Sequence, residues 1–158
     1  MISAEEPWND EEPPHFPRTA HPKRVLVAED DAAMRDLLLL VLSERGYAVE
    51  CVSSGSQMIQ VLSERHPDGS LSEPFDLIVT DVRMPGASGL DAIDQLRRAG
   101  GVTPVIAVTA FPHDATRNRA QRLAIHLLAK PFDLDVLRDA VAAALEAKLA
   151  PRAEEPEP

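Results

Sequence analysis

The sequence predicts an α/β fold, a parallel five-stranded sheet doubly wound with helices on both faces, and three observations carry that prediction. Short apolar runs alternate five times with stretches of helical spacing, the pattern of repeated strand-helix units. The third run, Leu77-Ile78-Val79, is continuously apolar, as a strand covered on both sides is. Four of the runs end in chemistry-bearing residues: Glu29, Asp30 and Asp31 after the first, Asp81 after the third, Thr109 at the fourth and Lys130 at the fifth. Right-handed crossovers bring all five strand ends to one rim, where open α/β sheets place their chemistry.

In chain order, the first strand is Arg24 to Ala28, closed by the acidic cluster. Helical spacing follows, with Met34, Leu37, Leu38, Val41 and Leu42 on one stripe and Gly46 as the stop. Tyr47 to Val52 is the second strand. Ser53, Ser54 and Gly55 turn the chain into a helix whose apolar residues are Met58, Ile59, Val61 and Leu62. His66 to Pro74 is a solvent-facing connection with turn chemistry at Pro67, Asp68 and Gly69. The strand ending at Asp81 meets a turn rich in Pro and Gly. Ser88, three residues before Asp91, then caps a helix with Leu90, Ile93 and Leu96 inward. Gly100 and Gly101 end that helix, and Val102 to Thr109 forms the fourth strand, where Pro104 is tolerable only near the start. His113 to Arg122 is a short polar helix and Ala124 to Ala129 the fifth strand. The last helix carries Leu134, Leu137, Val141, Leu145 and Leu149 in register over four turns.

A chain of 158 residues supports one domain with a sizeable core. Residues 1–22, acidic and rich in Pro, carry no hydrophobic period and read as a disordered tail. Trp8 and Phe16 are its only candidate anchors. The folded body is expected over residues 23–150, and residues 151–158 form a second acidic tail or a linker. A formal net charge of -10 argues against general nucleic-acid binding. The single Cys51, inside an apolar-polar alternation, reads as a core residue in a reducing compartment and excludes an internal disulfide. No apolar stretch approaches membrane-spanning length, and no basic-then-apolar leader opens the chain, so a cytoplasmic location is expected.

Three carboxylates on one rim repel one another unless a cation shares the site. A hard cation with oxygen ligands answers that need. Mg²⁺ is the expected occupant, held by Asp30, Asp81, a backbone carbonyl and waters, with Glu29 acting through a metal-bound water. Asp31 faces outward or caps the helix beside it. Lys130 supplies a point charge for Asp81 and for a phosphoryl oxygen, Thr109 supplies a hydroxyl donor, and the small Ala110 leaves room. A carboxylate nucleophile, a metal, an ammonium and a hydroxyl together describe phosphoryl transfer, with an aspartyl phosphate on Asp81 as product.

With DVRMPG and KPF at their strand ends, the stretch Lys23 to Leu149 resembles the response-regulator receiver domains of two-component signal transduction, typified by a bacterial chemotaxis regulator. The resemblance implies a flavodoxin-like (βα)5 sheet in the order 2-1-3-4-5. It also implies an acidic pair at Glu29 and Asp30, the phosphoacceptor at Asp81, a metal-directed backbone carbonyl at Arg83, the hydroxyl at Thr109 and the lysine at Lys130. A cis bond is expected between Lys130 and Pro131, which costs little before proline. Phosphate would come from a sensor histidine kinase or a histidine phosphotransfer protein, and the domain would catalyse both its own phosphorylation and the hydrolysis. The face made by the fourth helix, fifth strand and fifth helix would dock a downstream protein or a second copy.

One position departs from the family. Three residues before the lysine, where an aromatic is usual, stands Leu127, which has no ring to follow the threonine, so an atypical switch is expected. His126 beside it points to the other sheet face by strand alternation. Arg83 and Phe111, each two residues past a site residue, are bulky enough to hinder attacking water. Arg117, Arg119 and Arg122 give the fourth helix a basic stripe suited to an acidic partner or to ion pairs with neighbouring helices. Output stays open between protein contact, a phosphorelay intermediate or phosphate sink, and a receiver cut from a larger DNA-binding regulator or hybrid kinase. Direct nucleic-acid contact is not expected, since the stripe is small. Two rivals fit poorly. A small-molecule phosphatase with a nucleophilic Asp would carry a second acid where Arg83 stands, and a nucleotide or flavin module lacks its glycine-rich loop after the first strand.

Overall fold

The computed structural model describes residues 21–149, with side chains through Ala147; residues 1–20 of the expected tail 1–22, and the whole of 151–158, lie outside the described residues. Five strands alternate with five helices: β1 Arg24–Ala28, α1 Ala32–Glu44, β2 Ala48–Val52, α2 Gly55–Leu62, β3 Leu77–Asp81, α3 Gly89–Arg98, β4 Val105–Thr109, α4 Asp114–Arg122, β5 Ile125–Ala129 and α5 Leu134–Leu149. All pairings are parallel, in the order β2-β1-β3-β4-β5.

The period of two along each strand splits the core into two layers. Leu26, Ala28, Ile78, Val105 and Ala107 face α2, α3 and α4, where Met58, Leu62, Ile93, Leu96 and Ala120 meet them. Val25, Val27, Leu77, Val79 and Ile106 face α1 and α5, against Leu38, Leu42, Leu137, Val141 and Leu145. Every residue of β3 and β4 is buried, which is why Leu77 to Val79 and Val105 to Val108 read as unbroken apolar runs.

Several expected details shift. β4 starts at Val105, because the N–H groups of Val102 and Thr103 bond the Glu73 carboxylate instead of a strand, at 2.6 and 3.0 Å. Pro104, with no N–H to give, stands just before the strand, and its carbonyl accepts from Ile78. The stripe of α1 is narrower than expected: Leu38, Val41 and Leu42 are buried, but Leu37 is 37% exposed, since it lies on the flank of the helix away from the sheet. Cys51 is half-buried rather than interior, because β2 is an edge strand. His126 is exposed. Asp31 caps α1, accepting from the Met34 N–H at 2.8 Å, and Ser88 and Asp91 form a reciprocal capping box at α3.

Gly89 lets α3 begin against the end of β3. A Cβ there would overlap the Asp81 carbonyl oxygen, so the helix start and the strand end hold this approach only with glycine.

Candidate functional site

Four parallel strands deliver the candidate residues to one rim. Glu29 and Asp30 follow β1, Asp81 ends β3, Thr109 ends β4 and Lys130 follows β5. Glu29, Asp81 and Thr109 are buried while Asp30 is exposed. One carboxylate oxygen from each of Glu29, Asp30 and Asp81 lies within 4.8 Å of the others. Lys130 Nζ donates to Asp81 Oδ2 at 2.9 Å and to Glu29 Oε2 at 3.4 Å. The Lys130–Pro131 bond is cis. The Lys130 N–H also donates to the Thr109 carbonyl at 2.7 Å, which ties the fifth strand end to the fourth.

Burial pushes the Glu29 carboxyl above the ordinary glutamate range, and the neighbouring Asp81 charge pushes it further, against the pull of Lys130 and the Asp31 N–H. Burial alone would lower the Lys130 ammonium. The hydrogen bond and charge of Asp81, with the charge of Glu29, outweigh it and raise the pKa. Three carboxylates against one ammonium leave the cluster short of positive charge. All its donor atoms for a cation are hard oxygens, so the residues present fit Mg²⁺.

The site continues outward. The Arg83 N–H donates to Asp81 Oδ1 at 3.1 Å, and the Phe111 N–H donates to Thr109 Oγ1 at 3.2 Å. The Arg83 guanidinium lies 5.2 Å from the centre of the Phe111 ring, and that ring stacks with His113 at 6.3 Å. Ala110 is exposed beside Thr109. Arg35 of α1, which the sequence did not single out, donates to the Glu29 carbonyl at 3.0 Å. Its only sequence signal is a cation on the first helix one turn past the acidic cluster.

The basic stripe of α4 does not stay whole. Arg119 turns to α3 and pairs with Asp91 at 2.7 Å and Asp94 at 3.7 Å, because both acids stand on the facing helix. Arg117 donates to the Pro112 carbonyl at 3.0 Å and remains exposed, as does Arg122. Leu127 is partly buried and lines a cleft of about 300 Å³ with Pro112, Arg117, Ala120, Ile125 and Ala129. No helix among the described residues is long and apolar enough to cross a membrane.

A family model described as the response regulator receiver domain matches residues 25–142. The alkaline phosphatase synthesis transcriptional regulatory protein SphR of Synechococcus elongatus is 34% identical over 120 residues, covering 73% of this chain and 46% of that protein. The response regulator protein PmrA of Pseudomonas aeruginosa is 37% identical over 123 residues, covering 76% and 51%. The chain thus spans about half the length of these curated relatives. Among solved structures, the receiver domain of the sensor histidine kinase PA1611 from Pseudomonas aeruginosa PAO1 matches with a TM-score of 0.67. It is 24% identical, with 79% of this chain and 98% of that chain covered, and carries a magnesium ion coordinated in its active site cleft.

Proposed function

The chain belongs to the response regulator receiver domain family, and from that premise we propose that it accepts a phosphoryl group on Asp81 in a Mg²⁺-dependent reaction. The observation that carries this reading is the convergence of the β1 and β5 ends on the carboxylate that ends β3. Lys130 Nζ is 2.9 Å from Asp81 Oδ2, and oxygens of Glu29, Asp30 and Asp81 lie within 4.8 Å of one another.

The donor is a phosphohistidine of a sensor histidine kinase or phosphotransfer protein. An Asp81 carboxylate oxygen attacks phosphorus, the phosphorus-nitrogen bond of the donor breaks, and its electron pair returns to the imidazole, which takes a proton. Lys130, already paired with Asp81, keeps its ammonium on the transferred group, and the Thr109 hydroxyl donates to another phosphoryl oxygen. When bound, Mg²⁺ neutralises charge on the phosphoryl oxygens; Asp30, Asp81 and the Arg83 carbonyl would hold it, with Glu29 through a water. The receiver occupies residues 23–150. Its output is protein contact through α4, β5 and α5, with Arg117 and Arg122 as the cations left at that face and Leu127 as its partly buried floor. With leucine where the family commonly has an aromatic, the switch there is atypical, and Arg119 serves the α3 contact instead.

Acetyl phosphate with Mg²⁺, read by intact mass, tests the assignment. The protein gains one phosphate, and Asp81→Asn gains none. Equal labelling of the two would remove Asp81 from the role.

A further inference from the structure

We propose that the Arg83 guanidinium is itself a phosphoryl-binding group of this site, held ready on the Phe111 ring. The inference rests on the reading of Asp81 as phosphoacceptor and adds a residue to it. Two anchors place the pair. The Arg83 backbone N–H is fixed to Asp81 Oδ1 and the Phe111 backbone N–H to Thr109 Oγ1, so each residue is tied to a side chain that faces the transferred group. Their side chains then meet between neighbouring loops, with the guanidinium 5.2 Å from the ring centre.

Burial does not account for this arrangement, because Phe111 is 57% exposed. Nor does an ion pair. Among the described residues no carboxylate lies within bridging distance of the Arg83 guanidinium, although the domain is acidic. What remains is an unneutralised cation, tethered beside the one carboxylate that changes charge in the reaction. The His113 ring, nearly parallel to Phe111 at 11°, keeps the aromatic face in place.

An exposed contact with a ring face is worth less to a guanidinium than paired, charge-assisted hydrogen bonds to a phosphoryl dianion. Arg83 therefore leaves the ring when the phosphoryl group is present and returns when it is gone. Parking on Phe111 holds the long side chain near its target, so less conformational freedom is lost on binding. Phe111 is in this sense a positioning residue and Arg83 a binding one.

The test uses the full chain with Mg²⁺. Nitrogen-15 spectra follow the Arg83 Nε–H, which the Phe111 ring shifts upfield in the free protein; beryllium fluoride, a phosphoryl mimic, should move it downfield. Acetyl phosphate labelling by intact mass should slow about tenfold in Arg83→Gln. Arg83→Lys should regain part of the loss as a point charge. Phe111→Leu should slow labelling about threefold through lost positioning. An Arg83 resonance unmoved by saturating beryllium fluoride, or an unchanged rate in Arg83→Gln, overturns the proposal while Asp81 still gains phosphate. If the parent gains no phosphate, the phosphoacceptor reading fails and this inference with it.

Discussion

Glu73 does work that its position in a polar loop does not announce. Its Oε1 accepts from Val102 N–H at 2.6 Å, Thr103 N–H at 3.0 Å and Thr103 Oγ1 at 2.9 Å, and its backbone takes a φ of 43° to aim the carboxylate there. Thr103 is buried, so removing the acceptor strands two donors away from water. Glu73→Ala should cost about 2–3 kcal/mol in urea unfolding, and Glu73→Gln, which keeps an acceptor oxygen, about 1 kcal/mol. Equal losses would mean that charge rather than acceptance matters. This residue was not legible in the sequence, because its partners lie about 30 positions away and only the folded chain brings two loops together at that end of the sheet. Asp81 and Lys130 were legible for the opposite reason. Asp81 ends β3 and Lys130 follows β5, so the strand itself carries each to the rim. The Arg83 side chain falls between these cases: its place beside Asp81 follows from the sequence, while its contact with Phe111 depends on which loops are neighbours.

Helices were legible where their period was clean and less so at their flanks. The four leucines Leu37 to Leu40 of α1 offer more apolar surface than one buried stripe accommodates, and Leu38 alone of them is buried. In α4 the sequence shows three arginines of one kind, but the facing acids of α3 select Arg119. That clip has a pH signature. The Arg119 hydrogen bond holds the Asp91 carboxyl below its ordinary value of 3.8, with help from Ser88, even though burial works the other way. A carboxyl lowered on folding contributes stability above its unfolded pKa and loses it as pH falls through the folded one. Asp91 is about half exposed, so the contribution is small, about 0.5–1 kcal/mol together with its place in the first turn of α3. Unfolding of the parent and Asp91→Asn should differ by that amount throughout neutral and mildly acidic pH, with the gap closing only below 3.8. A gap that closes well above that value would place the stabilisation in another group.

The rim is where the fold opposes its own stability. β1 and β3 are hydrogen-bonded neighbours in the sheet, so their ends cannot separate Glu29 from Asp81 without breaking the register Val25↔Leu77 to Ala28↔Thr80. Lys130 compensates part of this, and Asp30, exposed and in no ion pair among the described residues, adds repulsion. The cost is therefore built into the strand order and is relieved by whatever binds the oxygens. Mg²⁺ binding only the folded state should stabilise it by about 1.4 kcal/mol at ten times its dissociation constant, a rise of about 3–5 °C in Tm for a domain of this size. Asp30→Asn separates the two effects. Without divalent ions it should melt at or slightly above the parent, because one of three like charges is gone. With Mg²⁺ it should lose most of the rise, because an oxygen ligand is weakened. Calorimetry of both proteins with EDTA and with Mg²⁺ gives the four melting points. A variant that melts below the parent without metal, yet keeps the full Mg²⁺ increment, would show that Asp30 supports the fold and that the cation is held elsewhere.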